Sequence, residues 1–241
     1  MSVVTKYRFS SNNRVAILTG AGISAESGIK TFRDADGLWE NHRVEDVATP
    51  EAFIRDPELV WKFYRARHEQ ALTVTPNAGH HALKDLEDFL GDNFLLITQN
   101  IDGLHTVAGS QRVVEMHGSI HRTFCVDCGI SVSSLEALKQ ESIPKCRGCN
   151  SMLRPDVVWF GEVPYHLETI IRWLRDLDFF ITVGTSGVVY PAAQFLMTAK
   201  YAGTTTIGIN LDPPENLRFI DEFHQGLSSK LLPELVKQWI G

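Results

Sequence analysis

The chain has 241 residues, of which 44% are hydrophobic and 22% are charged, and its formal net charge is −6. This length suits one large globular domain, or one domain with an insert, and the composition is that of an ordinary globular protein. The acidic balance argues against a protein that binds nucleic acid over a broad basic surface.

Neither a secretion signal nor a membrane anchor is expected. Residues 1–13 are polar and lack the apolar core of a signal peptide. The most apolar region, residues 179–197, is interrupted by Gly184, Gly187 and Pro191, which argues against a membrane span. We therefore expect a cytoplasmic protein whose cysteines are not paired in disulfides.

Four apolar runs each end in a cluster of small or polar residues. The runs are residues 15–18, 94–97, 179–183 and 205–209, followed by clusters at 19–22, 98–102, 184–186 and 210–212. Continuous apolar runs of this length are typical of buried parallel strands. Because ligands of open α/β sheets lie beyond the carboxyl ends of the strands, we expect the four clusters to line one crevice.

Helical periodicity separates these runs. Apolar residues recur at helical spacing in residues 77–90, 165–174, 191–201 and 231–240. Strands that alternate with helices predict an α/β fold with a Rossmann-type doubly wound parallel sheet.

Two segments do not fit this core. Residues 31–75 lack a second buried strand but contain a helix candidate at 51–72, and residues 122–153 contain all four cysteines. We expect these inserts, one helical and one a zinc ribbon, to form a small domain. The large domain then comprises residues 1–30, 76–121 and 154–241.

The first run leads into a glycine-rich turn. Gly20, Gly22 and Ala25 form a G-x-G-x-x-A pattern, the first half of a dinucleotide-binding fingerprint. Glycine permits the tight turn and the close approach of a pyrophosphate. Alone the pattern is weak, because a strand–turn–helix without a ligand has the same appearance.

The acidic residue of a dehydrogenase is missing. A NAD dehydrogenase holds the adenosine ribose with an acidic residue at the end of its second strand, about 20 residues beyond the glycines. Near that position the chain has Glu40 and Glu45, in a loop without strand character. This departure argues against a dehydrogenase.

The cysteines form two C-x2-C pairs, Cys125 with Cys128 and Cys146 with Cys149, separated by 17 residues. Two such knuckles predict a zinc site with four thiolate ligands, which is structural because no position remains for water. A zinc ribbon can also bind nucleic acid, but the flanking charges are mixed and few aromatic residues are interleaved. We therefore interpret the zinc as part of the scaffold.

Polar residues at two further positions are candidates for catalysis or recognition. His117 ends the apolar run 113–116 beside Gly118, and an imidazole there can act as a general base near neutral pH. Gln99, Asn100 and Asp102 are either a capped turn or a site that recognises a carboxamide and ribose hydroxyls. The other eight histidines we interpret mostly as surface or structural residues.

Together the motifs resemble the sirtuin family of NAD-dependent protein deacylases. They follow the family's order from residue 15 to about residue 228. The matching motifs are Gly20-Ala21-Gly22-Ile23-Ser24, Gly28-Ile29 with Thr31-Phe32-Arg33, Gln99-Asn100-Ile101-Asp102, His117-Gly118, the two cysteine pairs, residues 157–162, Gly184-Thr185-Ser186 and Asn210-Leu211.

The resemblance implies that NAD, as a consumed co-substrate, and an acylated lysine meet in a cleft between the Rossmann-type domain and the zinc-binding domain. His117, Asn100 and Asp102 would be catalytic, with His117 taking a proton from a ribose hydroxyl. Nicotinamide, 2′-O-acyl-ADP-ribose and free lysine would be the products. The implied NAD-binding residues are Gly20, Ala21, Gly22, Ile23, Ser24, Phe32, Arg33, Gln99, Asn100, Ile101, Asp102, Gly184, Thr185, Ser186, Asn210, Leu211, Asp212 and Ser228.

The implied substrate-binding residues are Ala35, Tyr64, Arg67, Val157, Val158, Trp159 and Phe160. Residues 157–160 have the period of an extended segment, which could pair with a substrate backbone by strand addition. Val158 and Phe160 would then wall the lysine tunnel.

Tyr64 and Arg67 lie three residues apart in a predicted helix and therefore share a face. By themselves they could be an exposed arginine beside an aromatic ring. Within a sirtuin they resemble the Tyr-x-x-Arg signature of the bacterial and archaeal class III branch, the desuccinylases and demalonylases. There a planar guanidinium suits the acyl carboxylate, and Ala35 matches the small residue that leaves room in the pocket.

Two other functions stay open. One is mono-ADP-ribosyl transfer from the same NAD site, and the other is a NAD-sensing scaffold, against which His117 and Asn100 argue. The expected partners are acyl-lysine proteins, with no membrane and no direct nucleic-acid binding. The oligomeric state cannot be predicted.

Overall fold

A parallel sheet of six strands lies at the centre of the computed structural model. The structure describes residues 4–30, 38–39, 42–140 and 143–241, and for Leu38 and Trp39 it describes the backbone alone. The strands of all described sheets, in chain order, are β1 (Val15–Thr19), β2 (Leu38–Trp39), β3 (His42–Arg43), β4 (Phe94–Thr98), β5 (Val113–Glu115), β6 (Gly118–Cys125), β7 (Ser131–Ser133), β8 (Leu153–Val157), β9 (Phe179–Val183), β10 (Thr205–Asn210) and β11 (Glu222–Gln225). The large sheet has the order β11-β10-β9-β1-β4-β5, and its pairs are parallel.

Helices cover both faces of this sheet and form most of a smaller unit. They are α1 (Ala21–Ala25), α2 (Val44–Val47), α3 (Pro50–Arg55), α4 (Pro57–Thr73), α5 (Ala78–Leu90), α6 (Leu104–Val107), α7 (Ser134–Ala137), α8 (Leu167–Trp173), α9 (Ala192–Tyr201) and α10 (Ser228–Ile240). Two 3-10 turns, Gly91–Asn93 and Leu217–Phe219, complete the described elements.

The two faces of the sheet receive different helices because side chains alternate along each strand. Val15 and Ile17 pack into the core formed with α5 and α10. Ala16 and Leu18 pack into the core formed with α8 and α9. Both faces are therefore dry, as the continuous apolar runs predict, and the predicted α/β fold is confirmed.

The smaller unit combines α2, α3 and α4 with a three-stranded sheet in the order β7-β6-β8. Its core contains Phe53, Trp61, Leu153 and Trp159. This sheet includes residues 118–121 and 154–157, which the sequence analysis assigns to the large domain.

The helix predicted at residues 51–72 is two helices. Pro57 cannot donate a backbone hydrogen bond and pushes Asp56 out of the helical region. The side chain of Asp56 instead accepts from the backbone N–H of Leu59 at 2.9 Å and begins α4. The second helix is therefore separately capped, and it carries Tyr64 and Arg67.

None of the helices in the described part of the chain is both long enough and apolar enough to cross a bilayer.

Candidate active site

The carboxyl ends of the four predicted strands are joined by side-chain hydrogen bonds. Gln99 Nε2 donates to Thr185 Oγ1 at 3.2 Å, and Asn210 Nδ2 donates to the Thr185 carbonyl at 3.0 Å. Asn100 Nδ2 donates to the Gly20 carbonyl at 3.0 Å. Residues that follow β1, β4 and β9, and the last residue of β10, thus converge on one region, as the sequence predicts for a single crevice.

The glycine turn is pressed against the loop after β9. A Cβ atom on Gly22 would lie 2.6 Å from Gly184 Cα, and one on Gly20 would lie 2.7 Å from the Gly184 carbonyl oxygen. Gly184 itself has φ +61°, which favours glycine. The structure therefore gives these glycines a packing requirement, in addition to the phosphate contact expected from the sequence.

His117 is oriented for base chemistry. Its Nδ1 lies 3.1 Å from the Gln99 carbonyl oxygen, which can only accept, so Nδ1 carries the proton of the neutral ring. Nε2 then holds the free lone pair. Burial lowers the pKa of His117, an effect that the Gln99 carbonyl partly opposes, and the ring is therefore neutral near pH 7.

Asn100 and Asp102 follow Gln99, whose carbonyl holds this base, in the loop after β4. The backbone N–H of Asn100 donates to Thr98 Oγ1 at 3.0 Å, and its side chain also donates to Ser24 Oγ at 3.1 Å. Asp102 is 8% exposed and accepts from the Leu104 N–H at 2.9 Å. Burial raises the pKa of Asp102, while hydrogen bonds and nearby cationic groups oppose the shift.

A buried series of hydrogen bonds, which the sequence analysis missed, leads from His105 through Thr19 and Thr98 to the backbone of Asn100. His105 Nε2 lies 3.0 Å from Thr19 Oγ1, and Thr19 Oγ1 donates to Thr98 Oγ1 at 2.9 Å. The rings of His105 and His80 are 4.8 Å apart. Burial lowers the pKa of His80 to about 4 and that of His105 to about 3.

These two histidines were interpreted as surface or satisfied structural residues. Both are buried, and the atoms His80 Nε2 and His105 Nδ1 have no hydrogen-bond partner in the described part of the chain. The sequence does place His80 three residues after Asn77, at the start of a predicted helix, and the structure shows that the two form a capping box.

The acyl-recognition candidates lie in the interior of the smaller unit. Tyr64 is 2% exposed and Arg67 is 8% exposed. The alternative interpretation, an exposed arginine beside an aromatic ring, therefore does not apply. Tyr64 Oη accepts from Trp159 Nε1 at 3.0 Å. Burial raises the pKa of both Tyr64 and Asp102, and the charge of Arg67 opposes this shift in each, so Arg67 lies near both groups.

The predicted extended segment at residues 157–160 is regular only at Val157, the last residue of β8. The next three N–H groups all bond within the protein: Val158 to the His117 carbonyl at 2.9 Å, Trp159 to the Glu162 carboxylate at 2.8 Å and Phe160 to the Ala48 carbonyl at 3.0 Å. Strand addition by a substrate would therefore have to use other backbone groups. Val158 is half-buried and Phe160 is exposed.

Arg154 organises this segment, a role that the sequence analysis did not detect. Its guanidinium binds Glu162 with two hydrogen bonds of 2.7 and 2.9 Å and lies 3.6 Å above the Trp159 ring. Because Glu162 also accepts from the Trp159 N–H, one ion pair fixes both the ring and the backbone of Trp159.

The candidates for binding adenosine differ in exposure. Leu211 is 57% exposed and Asp212 is also exposed, beside the half-buried Asn210. Ser228 is 4% exposed, and its hydroxyl donates to Glu26 at 2.7 Å. The Ser228 side chain is thus already engaged within the protein.

The four cysteines converge as predicted, with all Sγ atoms within 4.8 Å of one another. Cys125 to Cys149 measures 3.4 Å, Cys128 to Cys149 measures 3.6 Å and Cys128 to Cys146 measures 3.7 Å. These separations are too long for disulfides but fit the edges of a tetrahedron with zinc–sulfur bonds of about 2.3 Å. The donor set therefore fits one structural zinc ion.

Phe32, Arg33 and Ala35 lie outside the described residues, so their predicted roles remain predictions.

The chain is similar to known proteins in sequence and in fold. A model of the Sir2 family matches residues 20–191. The chain belongs to the Sir2 family. A curated relative, the NAD-dependent protein deacylase of Yersinia pseudotuberculosis serotype I (strain IP32953), is 51% identical over 94% of this chain and 82% of its own length.

Solved Sir2 structures share the fold. A Sir2 homologue S24A mutant in complex with ADP-ribose has a TM-score of 0.88 and 41% identity, covering 95% of this chain and 92% of its own. A Sir2 homologue in complex with NAD has a TM-score of 0.87 and 43% identity, covering 94% and 90%. The predicted family, the NAD-dependent enzyme class and the Rossmann-type fold of this Sir2 protein are confirmed.

Proposed function

We propose that this Sir2 protein removes acyl groups from lysine side chains of proteins and consumes one NAD per acyl group. The observation that carries the proposal is a neutral His117 with its lone pair on Nε2, held by the carbonyl of Gln99, where the strand ends converge. The next residue, Asn100, donates to the Gly20 carbonyl of the glycine turn. The name and the 51% identity of the Yersinia relative support the same activity.

In the proposed reaction, the acyl-lysine carbonyl oxygen attacks the ribose carbon as the bond to nicotinamide breaks. Phe32, Asn100, Ile101 and Asp102 line the nicotinamide pocket, and Asp102 and Ile101 read the carboxamide. His117 then takes the proton of a ribose hydroxyl through Nε2, so that this oxygen attacks the imidate carbon. The bond from that carbon to the lysine nitrogen then breaks, which frees the lysine. One water adds to the same carbon, and opening of its bond to the 1′ oxygen leaves 2′-O-acyl-ADP-ribose, with nicotinamide as the other product.

The remaining NAD contacts are assigned to two loops and the adenosine end of the crevice. We infer that residues 20–24 and 184–186 hold the phosphates and ribose. Residues 210–212 lie near the adenosine, together with the backbone at Ser228. Arg33 is also proposed to bind NAD, and residues 157–160 hold the lysine-bearing peptide.

We further propose that acyl groups ending in a carboxylate are among the substrates. Tyr64 and Arg67 are buried together, and a buried guanidinium favours an anionic partner. Because Tyr64 Oη accepts from Trp159, its own proton remains available for a carboxylate. Burial raises the pKa of Tyr64, so the phenol keeps this proton. Ala35 leaves space for the longer acyl group.

The reaction is tested by product stoichiometry. A peptide with one acetyl-lysine is incubated with the protein and NAD labelled in the adenosine, and the products are quantified by mass spectrometry. Equal amounts of nicotinamide, free lysine and acyl-ADP-ribose are expected. Label that stays on protein, with the acyl-lysine intact, would support the alternative ADP-ribosyltransferase and contradict the proposal.

A further inference from the structure

Two imidazoles that the proposed mechanism does not use lie next to the backbone of Asp102, which is proposed to line the nicotinamide pocket. His121 belongs to β6 and His68 to α4, and their ring centroids are 5.4 Å apart at an interplanar angle of 67°. His68 is 3% exposed, and its Nε2 is buried without a hydrogen-bond partner among the described residues. His68 is therefore a buried residue rather than a surface one, and His121 is half-buried.

His121 holds the backbone of the carboxamide-reading segment, residues 101–103. Its Nε2 lies 2.8 Å from the Asp102 carbonyl oxygen, which can only accept, so Nε2 carries a proton. The preceding residue, Ile120, donates its backbone N–H to the Ile101 carbonyl at 2.9 Å. Strand β6 thus holds both peptide planes that flank the Asp102 Cα atom.

The approach of His121 depends on the glycine that follows Asp102. Gly103 has φ +74°, and a Cβ atom there would lie 2.9 Å from His121 Cδ2 and 3.0 Å from Nε2. A larger residue would therefore be strained and would push the ring away from the carbonyl. The contact between His121 and the Asp102 carbonyl therefore requires glycine at position 103.

Because a peptide unit is planar, the orientations of the two flanking planes fix φ and ψ of Asp102, and with them the direction of its side chain. We propose that His121 is a positioning residue that sets the Asp102 carboxyl for nicotinamide recognition, and that His68 holds the His121 ring in place. This inference rests on the proposed function, in which Asp102 reads the carboxamide.

His68 contacts the His121 ring and so connects α4 with β6. Helix α4 carries Tyr64 and Arg67 on the turn that ends at His68, so the ring contact joins that helix to β6. Burial and the neighbouring His121 both lower the pKa of His68, which suits a neutral His68 ring packed edge to face against His121.

The inference is tested with His121→Ala and His121→Gln, and with His81→Ala on exposed α5 surface as a control. Three quantities are measured: inhibition by nicotinamide, KM for NAD, and affinity for ADP-ribose, which lacks nicotinamide. His121→Ala is expected to weaken nicotinamide inhibition and raise KM for NAD by about five- to tenfold, with ADP-ribose affinity unchanged. His121→Gln, whose amide can donate to the same carbonyl, is expected to recover most of the loss.

Results that differ from these expectations would contradict either the positioning role or the proposed function. Unchanged nicotinamide inhibition in His121→Ala, or an equal loss of ADP-ribose affinity, would overturn the positioning role. Failure of the wild-type protein to release nicotinamide would instead contradict the proposed function. For His68, we expect His68→Phe, which keeps an edge-on ring, to behave as wild type, and His68→Ala to weaken nicotinamide inhibition. Identical behaviour of His68→Ala and wild type would remove His68 from the inference.

Discussion

The Nδ1 atom of His117 lies 3.1 Å from the carbonyl oxygen of Gln99, and this contact leaves Nε2 as the basic atom of the ring. A tyrosine at this position would keep a ring but lose the base. We expect His117→Tyr to lower kcat for deacylation by about 10²- to 10⁴-fold without changing the unfolding temperature. His166→Ala, an exposed histidine far along the chain, is the control. Full activity of folded His117→Tyr would show that another group is the base.

The same contact has a pH signature. His117 must be neutral to accept a proton, and burial lowers its pKa below the ordinary 6.5. The acidic limb of kcat/KM for the wild-type protein should therefore have its midpoint below pH 6.5, as the profile of initial rates from pH 5 to pH 9 will show.

The buried pair His80 and His105 predicts acid sensitivity of the fold. Their pKa values in the folded state are about 4 and about 3, against 6.5 for an ordinary histidine. Below pH 6.5 the unfolded chain binds protons that the folded chain does not, so stability is full above pH 6.5 and is lost as pH falls toward the folded values. At the steepest, each histidine contributes about 1.4 kcal/mol per pH unit.

This slope is measured by urea unfolding between pH 7 and pH 5. The variant His105→Gln removes one titrating group but keeps a donor for Thr19, so its stability should depend less on pH than that of the wild type. Parallel profiles for the two proteins would show that His105 is not buried in its neutral form.

The cysteine cluster predicts one tightly bound zinc ion that stabilises the smaller unit. The Sγ separations of 3.4 to 3.7 Å suit four thiolate ligands. Metal analysis should find one zinc per chain, and Cys146→Ser should lose it and lower the unfolding temperature. Ser131→Ala, on the adjacent strand, should keep the metal. A zinc-free protein that unfolds at the wild-type temperature would rule out a structural role.

The sequence predicts the strands of the large sheet well because they are buried on both faces. Residues 179–183 coincide with β9, and the other three runs each end one residue before their strands do. The same reasoning fails for β11 and for the strands of the small sheet. Those strands are polar or half-exposed, and β11 lies at a sheet edge, so no continuous apolar run marks them.

The site shows the same division. The cysteines follow a recognisable local pattern, and the structure brings them together as that pattern predicts. His117 and Asn100 also stand in recognisable patterns at strand ends, and their catalytic roles stay predictions. The roles of His105, His121 and Arg154 arise from contacts between residues distant in sequence, such as the 86 positions that separate Thr19 from His105. Local periodicity carries no information about such pairs.

Arg67 offers the most direct test of a NAD-dependent deacylase whose pocket accepts acyl carboxylates. One peptide sequence carrying acetyl-, malonyl- or succinyl-lysine is assayed by mass spectrometry with wild type, Arg67→Met and the exposed control Lys62→Met on the same helix. We expect Arg67→Met to lose about 10²-fold in kcat/KM for succinyl-lysine and to change little for acetyl-lysine, with Lys62→Met unchanged throughout. If the ratio of succinyl-lysine to acetyl-lysine turnover were the same in Arg67→Met as in wild type, the proposed recognition of the acyl carboxylate would be contradicted.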